Sequence, residues 1–527
     1  MTVPNPGETA PSTQREVELK LRVHALYQLP ALTAETWGVA EVEQCPVRQL
    51  AAVYHDTPDL ALIRWGVTLR RREGGPDAGW HLKLPVDGAS GSDRDEIHLP
   101  LASGEVGEPP PVLLDLVTVL LRGARVLPLV TVRTQRQPYL LRNCDARPVI
   151  ELVDDVVEIV HDGVTLERFR EIEVEGIAMD GAVDRELMAE VVALLEGAGA
   201  TRSSLSKAAG ALGPAAAAPP DVPEPQWPDR RDPSGVMIQA VLASQVRRLL
   251  WQDIRWRRRL PDSVHQMRVA CRRLRSALRS FEPLVDGIWA EALRADLAWL
   301  AGELAGARDR EVMVARMTEH LRTLPPVHSE RATAAIGPWL NRDEQEADLR
   351  IDDALRSSRY ADLISTLVAA AVTPPLTEEA SVPCRDALPP LIKVTMTRLA
   401  RAFADVSVET PTSAWHDLRL LAKRSRYAAD ACAPILGRRF AELAATLEQL
   451  TELLGEHQDA EVCGALIDQL AQQPDLDPRS AYALGLMRAE ESARQVRARS
   501  VALDVWRDVV KAARRADVLS SKAAARA

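Results

Sequence analysis

The chain has 527 residues, 46% hydrophobic and 27% charged, with a formal net charge of −10. This is the composition of a soluble globular protein of several domains; no apolar run is long enough to cross a bilayer, and net charge says little about local fields. Six scattered cysteines (45, 144, 271, 384, 432 and 463) form no CxxC pair, which argues against a zinc or disulfide framework and fits reduced thiols in the cytoplasm.

Residues 1–14 lack the basic start and apolar core of a signal peptide and are expected to form a disordered tail. From 15 to 210, short β-like runs are broken by Gly, Pro and Asp turns, with helices expected near 111–122 and 184–197. In REVELKLR, strand alternation puts Glu16, Glu18, Lys20 and Arg22 on one face and Val17, Leu19 and Leu21 on the other. Arg70 and Arg72 share a face in VTLRRRE, Lys83 stands in HLKLP, Arg94 and Glu96 share a face in RDEI, and Glu171, Glu173 and Glu175 share one in EIEVE. A sheet with one wet face alternates in the same way. If the sheet closes into a barrel, however, the charged faces line its interior. Lys and Arg there would bind a polyphosphate, and paired carboxylates would hold Mg²⁺ or Mn²⁺.

Residues 211–235 are rich in Pro and Ala and read as an extended linker. Residues 236–515 carry 3.6-residue periodicity and are expected to be helical, followed by a tail at 516–527. This half contains an internal duplication, with repeats at about 236–372 and 385–515. VHQMRVACRRLRSAL from Val264 matches WHDLRLLAKRSRYAA from Trp415, and LAWLAGELAGARDREV from Leu297 matches LEQLTELLGEHQDAEV from Leu447. The second block has Gln458 where the first has Arg308. At about 100° per residue, His265, Arg268, Arg272, Arg275 and Arg279 form one stripe, opposite Leu274, Leu278 and Phe281. His416, Arg419, Lys423 and Arg426 form the equivalent stripe, with Arg273 and Arg424 also aligned between the copies. Guanidinium forks match phosphate oxygens, so the duplicated stripes point to an anionic ligand. A solvated basic face is the plain alternative for one such helix; its occurrence twice favours the ligand. No aromatic residues interleave with the stripes, which disfavours stacking on nucleic-acid bases.

Glu16–Lys20 resembles the ExExK signature of the CYTH, or triphosphate tunnel metalloenzyme, superfamily. The ordered series that follows is similar too: VTLRRRE, HLKLP, RDEI, TVRTQR, ELVDD, EIEVE and SLSK. The duplicated half resembles the CHAD domain, a conserved-histidine α-helical domain associated with polyphosphate. The resemblance implies an eight-stranded antiparallel β-tunnel of the α+β class, followed by an all-α bundle. It implies metal ligands at Glu16, Glu18, Glu171 and Glu173, although which two of Glu171, Glu173 and Glu175 serve is open. Phosphate would be bound by Lys20, Arg70, Arg72, Lys83, Arg94 and Lys207. Arg133 and Arg136 have opposite parity, so one of them points inward, and Arg136 is preferred. Asp155, sharing parity with Glu151, would join the acidic cluster and orient the attacking water. In the bundle, polyphosphate would meet His265, Arg268, Arg272, Arg273, Arg275, Arg279, His416, Arg419, Lys423, Arg424 and Arg426. The implied activity is Mg²⁺- or Mn²⁺-dependent hydrolysis of inorganic triphosphate together with polyphosphate binding. The alternatives are a non-catalytic polyphosphate-binding or targeting protein, thiamine triphosphate hydrolysis and adenylate cyclisation. An adenine or thiamine pocket would need groups such as Trp37, Trp65 or Trp80 at a tunnel mouth; core packing is the expected role for all three.

Overall fold

Alternating apolar and charged residues give each strand of the first half two unlike faces, and the computed structural model shows where each face goes. It describes residues 11–31, 33–86, 93–161, 163–178, 182–203, 207–340 and 345–519. The chain divides into two units, Met1–Asp221 and Val222–Ala527.

The first unit contains strands β1 (Ser12–Val23), β2 (Glu41–Gln44), β3 (Arg48–Asp56), β4 (Thr68–Glu73), β5 (Gly79–Pro85), β6 (Asp93–Pro100), β7 (Leu127–Arg142), β8 (Pro148–His161), β9 (Val164–Gly176) and β10 (Thr201–Ser203). Eight form a closed antiparallel ring in the order β1-β6-β5-β4-β3-β7-β8-β9, with β9 pairing back onto β1. Strand β1 closes the ring by splitting its pairing. Ser12–Val17 pair with β6, and Glu18–Val23 pair with β9.

The barrel is apolar outside and charged inside. Leu21, Leu141, Ile150, Leu152, Ile172 and Val174 are buried against Met188, Val191, Val192 and Leu195 of helix Arg185–Gly197. Asp184 caps that helix by accepting from the Leu187 N–H at 2.9 Å. Each such aliphatic side chain contributes about 1.5–3 kcal/mol on full burial. The coat therefore supplies the stability that the polar interior does not. Val130, Val132, Val157 and Ile159 share the inward parity of Arg136 and Asp155, and they form an apolar section of the interior that clusters with Ala208 and Ala216.

Two segments differ from expectation. Strand β1 begins at Ser12, inside the expected tail. The Ala-rich start of the expected linker forms helical turns at Lys207–Leu212 and Gly213–Ala217, because Ala208 and Ala216 pack against the inward-facing Val130, Val132, Val157 and Ile159.

The second unit is all helical. Its first-copy helices Ser234–Arg257 and Ser263–Ser280 correspond to Cys384–Phe403 and Thr412–Leu436. The starts of the two leading helices meet in a Pro233–Pro383 bridge. The copies then diverge. Gly287–Glu303 and Ala305–Thr323 are separate helices that break at Leu304, whereas Arg438–Ala471 runs unbroken. Val518 and Leu519 are buried, so the expected C-terminal tail packs at its start.

Candidate functional site: the barrel interior and the duplicated basic helices

The inward faces of the strands enclose a cavity of about 360 Å³. Seven acids and seven bases line it, so the tunnel is balanced rather than uniformly basic. Glu16, Glu18, Lys20, Arg70, Arg72, Lys83, Arg136, Glu173 and Lys207 all reach the lining. Most cations are held by carboxylates. Lys20 Nζ lies 2.5 Å from Glu18 and 2.8 Å from Glu173, and Lys83 Nζ lies 2.6 Å from Glu16. Arg136 donates bidentately to Asp155 at 2.9 and 2.7 Å and to Glu173 at 2.7 Å. Arg70 donates to the Tyr54 hydroxyl at 3.4 Å and lies 3.6 Å from Glu96.

Burial and charge set the protonation states. Burial pushes Glu18 up, as does Glu173, but Lys20 and Lys83 outweigh both and hold it at about 2. Burial pushes the Lys83 ammonium down, and Glu16 and Glu96 outweigh that to leave it raised. Burial, then Arg70, pushes the Arg72 guanidinium below its ordinary value. Glu175 differs from the other acids in the lining. Burial, followed by Glu16 and Glu18, raises it to about 8. Among the described residues it has no ion-pair partner.

Three residues lie elsewhere than their expected roles require. Asp155 is fully buried, does not line the cavity and is held by Arg136 and by Lys207 at 2.6 Å. It aims those cations and has no access to an attacking water. Glu171 is also buried and outside the lining. Asp155, Glu171 and Glu173 bring carboxylate oxygens within 4.8 Å of one another, but the Lys207 ammonium sits 2.6–2.9 Å from all three and takes the place a cation would fill. Glu16, Glu18 and Glu175 also line the cavity, and Glu18 and Glu175 are register partners across β1 and β9. Hard oxygen donors and an acid without a counter-charge fit Mg²⁺ or Mn²⁺. Arg94 shares the inward parity, yet its guanidinium donates to Gly66 O at 3.0 Å and is not in the lining. Arg133 is exposed on the outer face, opposite in parity to Arg136.

The sequence reading assigned no role to Tyr54, Arg48, Glu151 or Asp77, all of which line the cavity. Arg48 and Glu151 approach to 3.6 Å. Asp77, in the β4–β5 turn, pairs with Arg72. Inward parity in RQLAAVYHD would have revealed Arg48 and Tyr54; nothing in the pattern marks Asp77.

In the helical unit, Ser263–Ser280 and Thr412–Leu436 bring their basic faces together. Lys423 is near Arg419 and Arg426 of its own helix and Arg272 of the other. Burial first, then Arg419 and Arg272, lowers it to about 7, against the opposing charge of Asp459. Arg273 lies 4.0 Å from Asp430 and over the Tyr427 ring, and Arg426 donates to Thr451 at 3.1 Å and pairs with Glu448. Arg268 donates to Ala305 O at 3.3 Å. His265 is half-buried, Arg275 and Arg279 are exposed, and Arg424 is near Arg279. His416 is exposed, with Nδ1 2.7 Å from Gln458 Oε1. The side chain of Arg308 lies outside the described residues.

The CYTH domain model matches residues 14–208 and the CHAD domain model residues 240–468. Two uncharacterised Mycobacterium tuberculosis proteins, Rv2226 of strain H37Rv and MT2285 of strain CDC 1551, are each 32% identical over 96% of this chain and 98% of their own length. Among solved structures, PptA from Streptomyces chartreusis is 26% identical over 52% of this chain and 99% of its own, with a TM-score of 0.44. The CHAD domain of Ricinus communis is 24% identical over 54% and 94%, also at 0.44. With the two domain matches in this order and relatives aligned end to end, the chain belongs to the family of proteins that join an N-terminal CYTH domain to a CHAD domain.

Proposed function

We propose that the barrel hydrolyses a short triphosphate, inorganic triphosphate before others, and that the helical unit binds inorganic polyphosphate. CYTH domains typically act on triphosphates and depend on a metal. The observation that carries the reading is the division of the cavity's charges. Glu16, Glu18 and Glu175 gather on β1 and β9, while Lys20, Lys83, Arg70, Arg72 and Arg136 converge on the same space. Glu16, Glu18 and Glu175 would hold Mg²⁺ or Mn²⁺, which supplies neutralisation of phosphate charge and an acidified water. The cations exchange carboxylate partners for phosphate oxygens. Arg70 and Arg72 face the charge that moves in phosphoryl transfer, and Asp155 keeps Arg136 aimed.

One observation favours an inorganic substrate. Trp37, Trp65 and Trp80 are buried and outside the lining. Tyr54 is the only aromatic side chain in the lining among the described residues, and its hydroxyl is bonded to Arg70. That leaves no stacking platform for a base or thiazole ring. The test is phosphate release from inorganic triphosphate, nucleoside triphosphates, thiamine triphosphate and long-chain polyphosphate, with and without Mg²⁺. Mg²⁺-dependent release, fastest from inorganic triphosphate, is expected. Absence of release from every substrate, with polyphosphate still bound, would establish a non-catalytic binding protein instead.

A further inference from the structure

His81 is a buried titratable side chain that the chemistry proposed for the barrel does not use. It stands in β5 on the face of Lys83, with Arg70 of β4 and His98 of β6 as register partners. The His98 ring packs against it, 4.9 Å between centroids. Both ring nitrogens of His81 face acceptors. Nδ1 lies 2.7 Å from Glu96 Oε1, and Nε2 lies 3.0 Å from the Asp77 carbonyl. Burial first, then Arg70 and Arg72, lower the ring to about 3, against the hydrogen bond with Glu96. A neutral ring has one proton for two acceptors. Burial pushes Glu96 up, but Lys83, the His81 bond and Arg70 outweigh it and hold the carboxylate well below its ordinary range. A charged acceptor makes the stronger bond, so the proton belongs on Nδ1 and is donated to Glu96. The Asp77 carbonyl accepts instead from Arg72 at 3.3 Å.

That bond decides what Glu96 can reach. Glu96 lines the cavity, and its Oε1 is 3.6 Å from Arg70 and 3.8 Å from Lys83, against 2.7 Å from His81. Lys83 is already held by Glu16 at 2.6 Å. Arg70 is the cation left open: it donates to the Tyr54 hydroxyl at 3.4 Å, and its Nε has no hydrogen-bond partner among the described residues. Released by His81, the Glu96 carboxylate would close on Arg70 and occupy the fork that a phosphate needs.

We propose that His81 is a positioning residue of the tunnel: by holding Glu96 through Nδ1 it keeps that carboxylate off Arg70 and leaves the guanidinium open to the substrate's phosphate groups. This rests on reading the tunnel as a triphosphate site. The test uses the full chain with inorganic triphosphate and Mg²⁺, read as KM and kcat and by direct titration of triphosphate. Asn and Gln separate the two contacts of the ring, because the amide nitrogen of Asn falls near Nδ1 and that of Gln near Nε2. His81→Gln keeps a donor for Asp77 and loses the one for Glu96. It should raise KM about tenfold, the scale of one competing charged hydrogen bond, while His81→Asn stays within about twofold of wild type. In both, kcat should change little, since a Glu96–Arg70 pair is broken once, as substrate enters. In a Glu96→Gln background, where no charge competes for Arg70, His81→Gln should leave KM nearly unchanged. A merely structural histidine would give equal losses in the two single variants, and the loss would persist in the Glu96→Gln background. Either result, or a wild-type KM in His81→Gln, would overturn the proposal and leave the triphosphate reading standing. The tautomer is a check that needs no variant: the ring-nitrogen NMR shifts of His81 should place its hydrogen on Nδ1, and hydrogen on Nε2 alone would overturn the proposal. A wild type that neither binds nor hydrolyses triphosphate would remove the tunnel reading and the proposal together.

Discussion

At the scale of single residues, Glu18 and Glu175 are a pair of opposites. Glu18 is kept ionised by Lys20 and Lys83, and Glu175, its register partner, is kept protonated by burial and by Glu16 and Glu18. Glu18→Gln should abolish Mg²⁺-dependent turnover in a protein that still folds, since a neutral amide is a poor ligand for a hard cation; near wild-type triphosphatase activity in the folded variant would remove the metal assignment. Glu175 leads to a pH effect with a definite sign. Its folded pKa of about 8 lies above the ordinary 4.5, so the folded state keeps a proton that the unfolded state has released. The stability linked to that proton is fully present below about pH 4.5 and is lost as pH rises through 8. In EDTA, Glu175→Gln should therefore raise the melting temperature at pH 8 and give no advantage at pH 4.5. A melting temperature that is no higher than wild type at pH 8 would show that Glu175 has a counter-charge in solution. Parity identified these acids in the sequence as inward-facing but not their depth. Glu171, Glu173 and Glu175 share one face, yet they stand respectively beneath the cavity at Lys207, within its ion network, and, among the described residues, without an ion-pair partner. Depth depends on strand twist and on the position of Lys207, which are set by the closed barrel and not by any one strand.

At the scale of elements, strand alternation made the barrel legible, because each of its strands carries a charged face that needs an interior. The turn between β4 and β5 was not legible in the same way. Gly74 and Gly75 both adopt positive φ, and a Cβ at Gly74 would lie 2.1 Å from Gln49 O. The tight turn they allow brings Asp77 back over Arg72. Asp77 thus occupies a guanidinium that substrate needs. Asp77→Asn should lower KM for triphosphate by up to about fivefold with kcat little changed, the range expected for an exposed ion pair. A fall in kcat would mean instead that Asp77 positions Arg72 for the reaction. Helical periodicity was similarly informative and similarly bounded. It placed the basic stripes correctly on Ser263–Ser280 and Thr412–Leu436, but Arg294 and Arg398, which sit on other helices, come near Arg424 only through tertiary packing.

At the scale of the whole molecule, a net charge of −10 coexists with a charge-balanced cavity in the barrel and with basic stripes on the duplicated helices, because net charge does not set local fields. Inside the barrel the two kinds of charge are equal in number, and this has a consequence for how the tunnel fills. Each ammonium that lines the barrel forms a salt with a carboxylate. A triphosphate entering alone would take the cations and strand the acids; a metal entering alone would take the acids and strand the cations. Entering together, they exchange partners in a single metathesis, the metal meeting carboxylates while phosphate oxygens meet the ammonium and guanidinium groups. Mg²⁺ and triphosphate should therefore raise each other's affinity by the same factor, measurable by titrating either one at fixed levels of the other in a turnover-deficient Arg72→Ala protein. Independent binding would mean that the carboxylates and ammoniums do not trade partners. The barrel is in this respect less a positively charged trap than a solid electrolyte, selective for an ion pair over either ion.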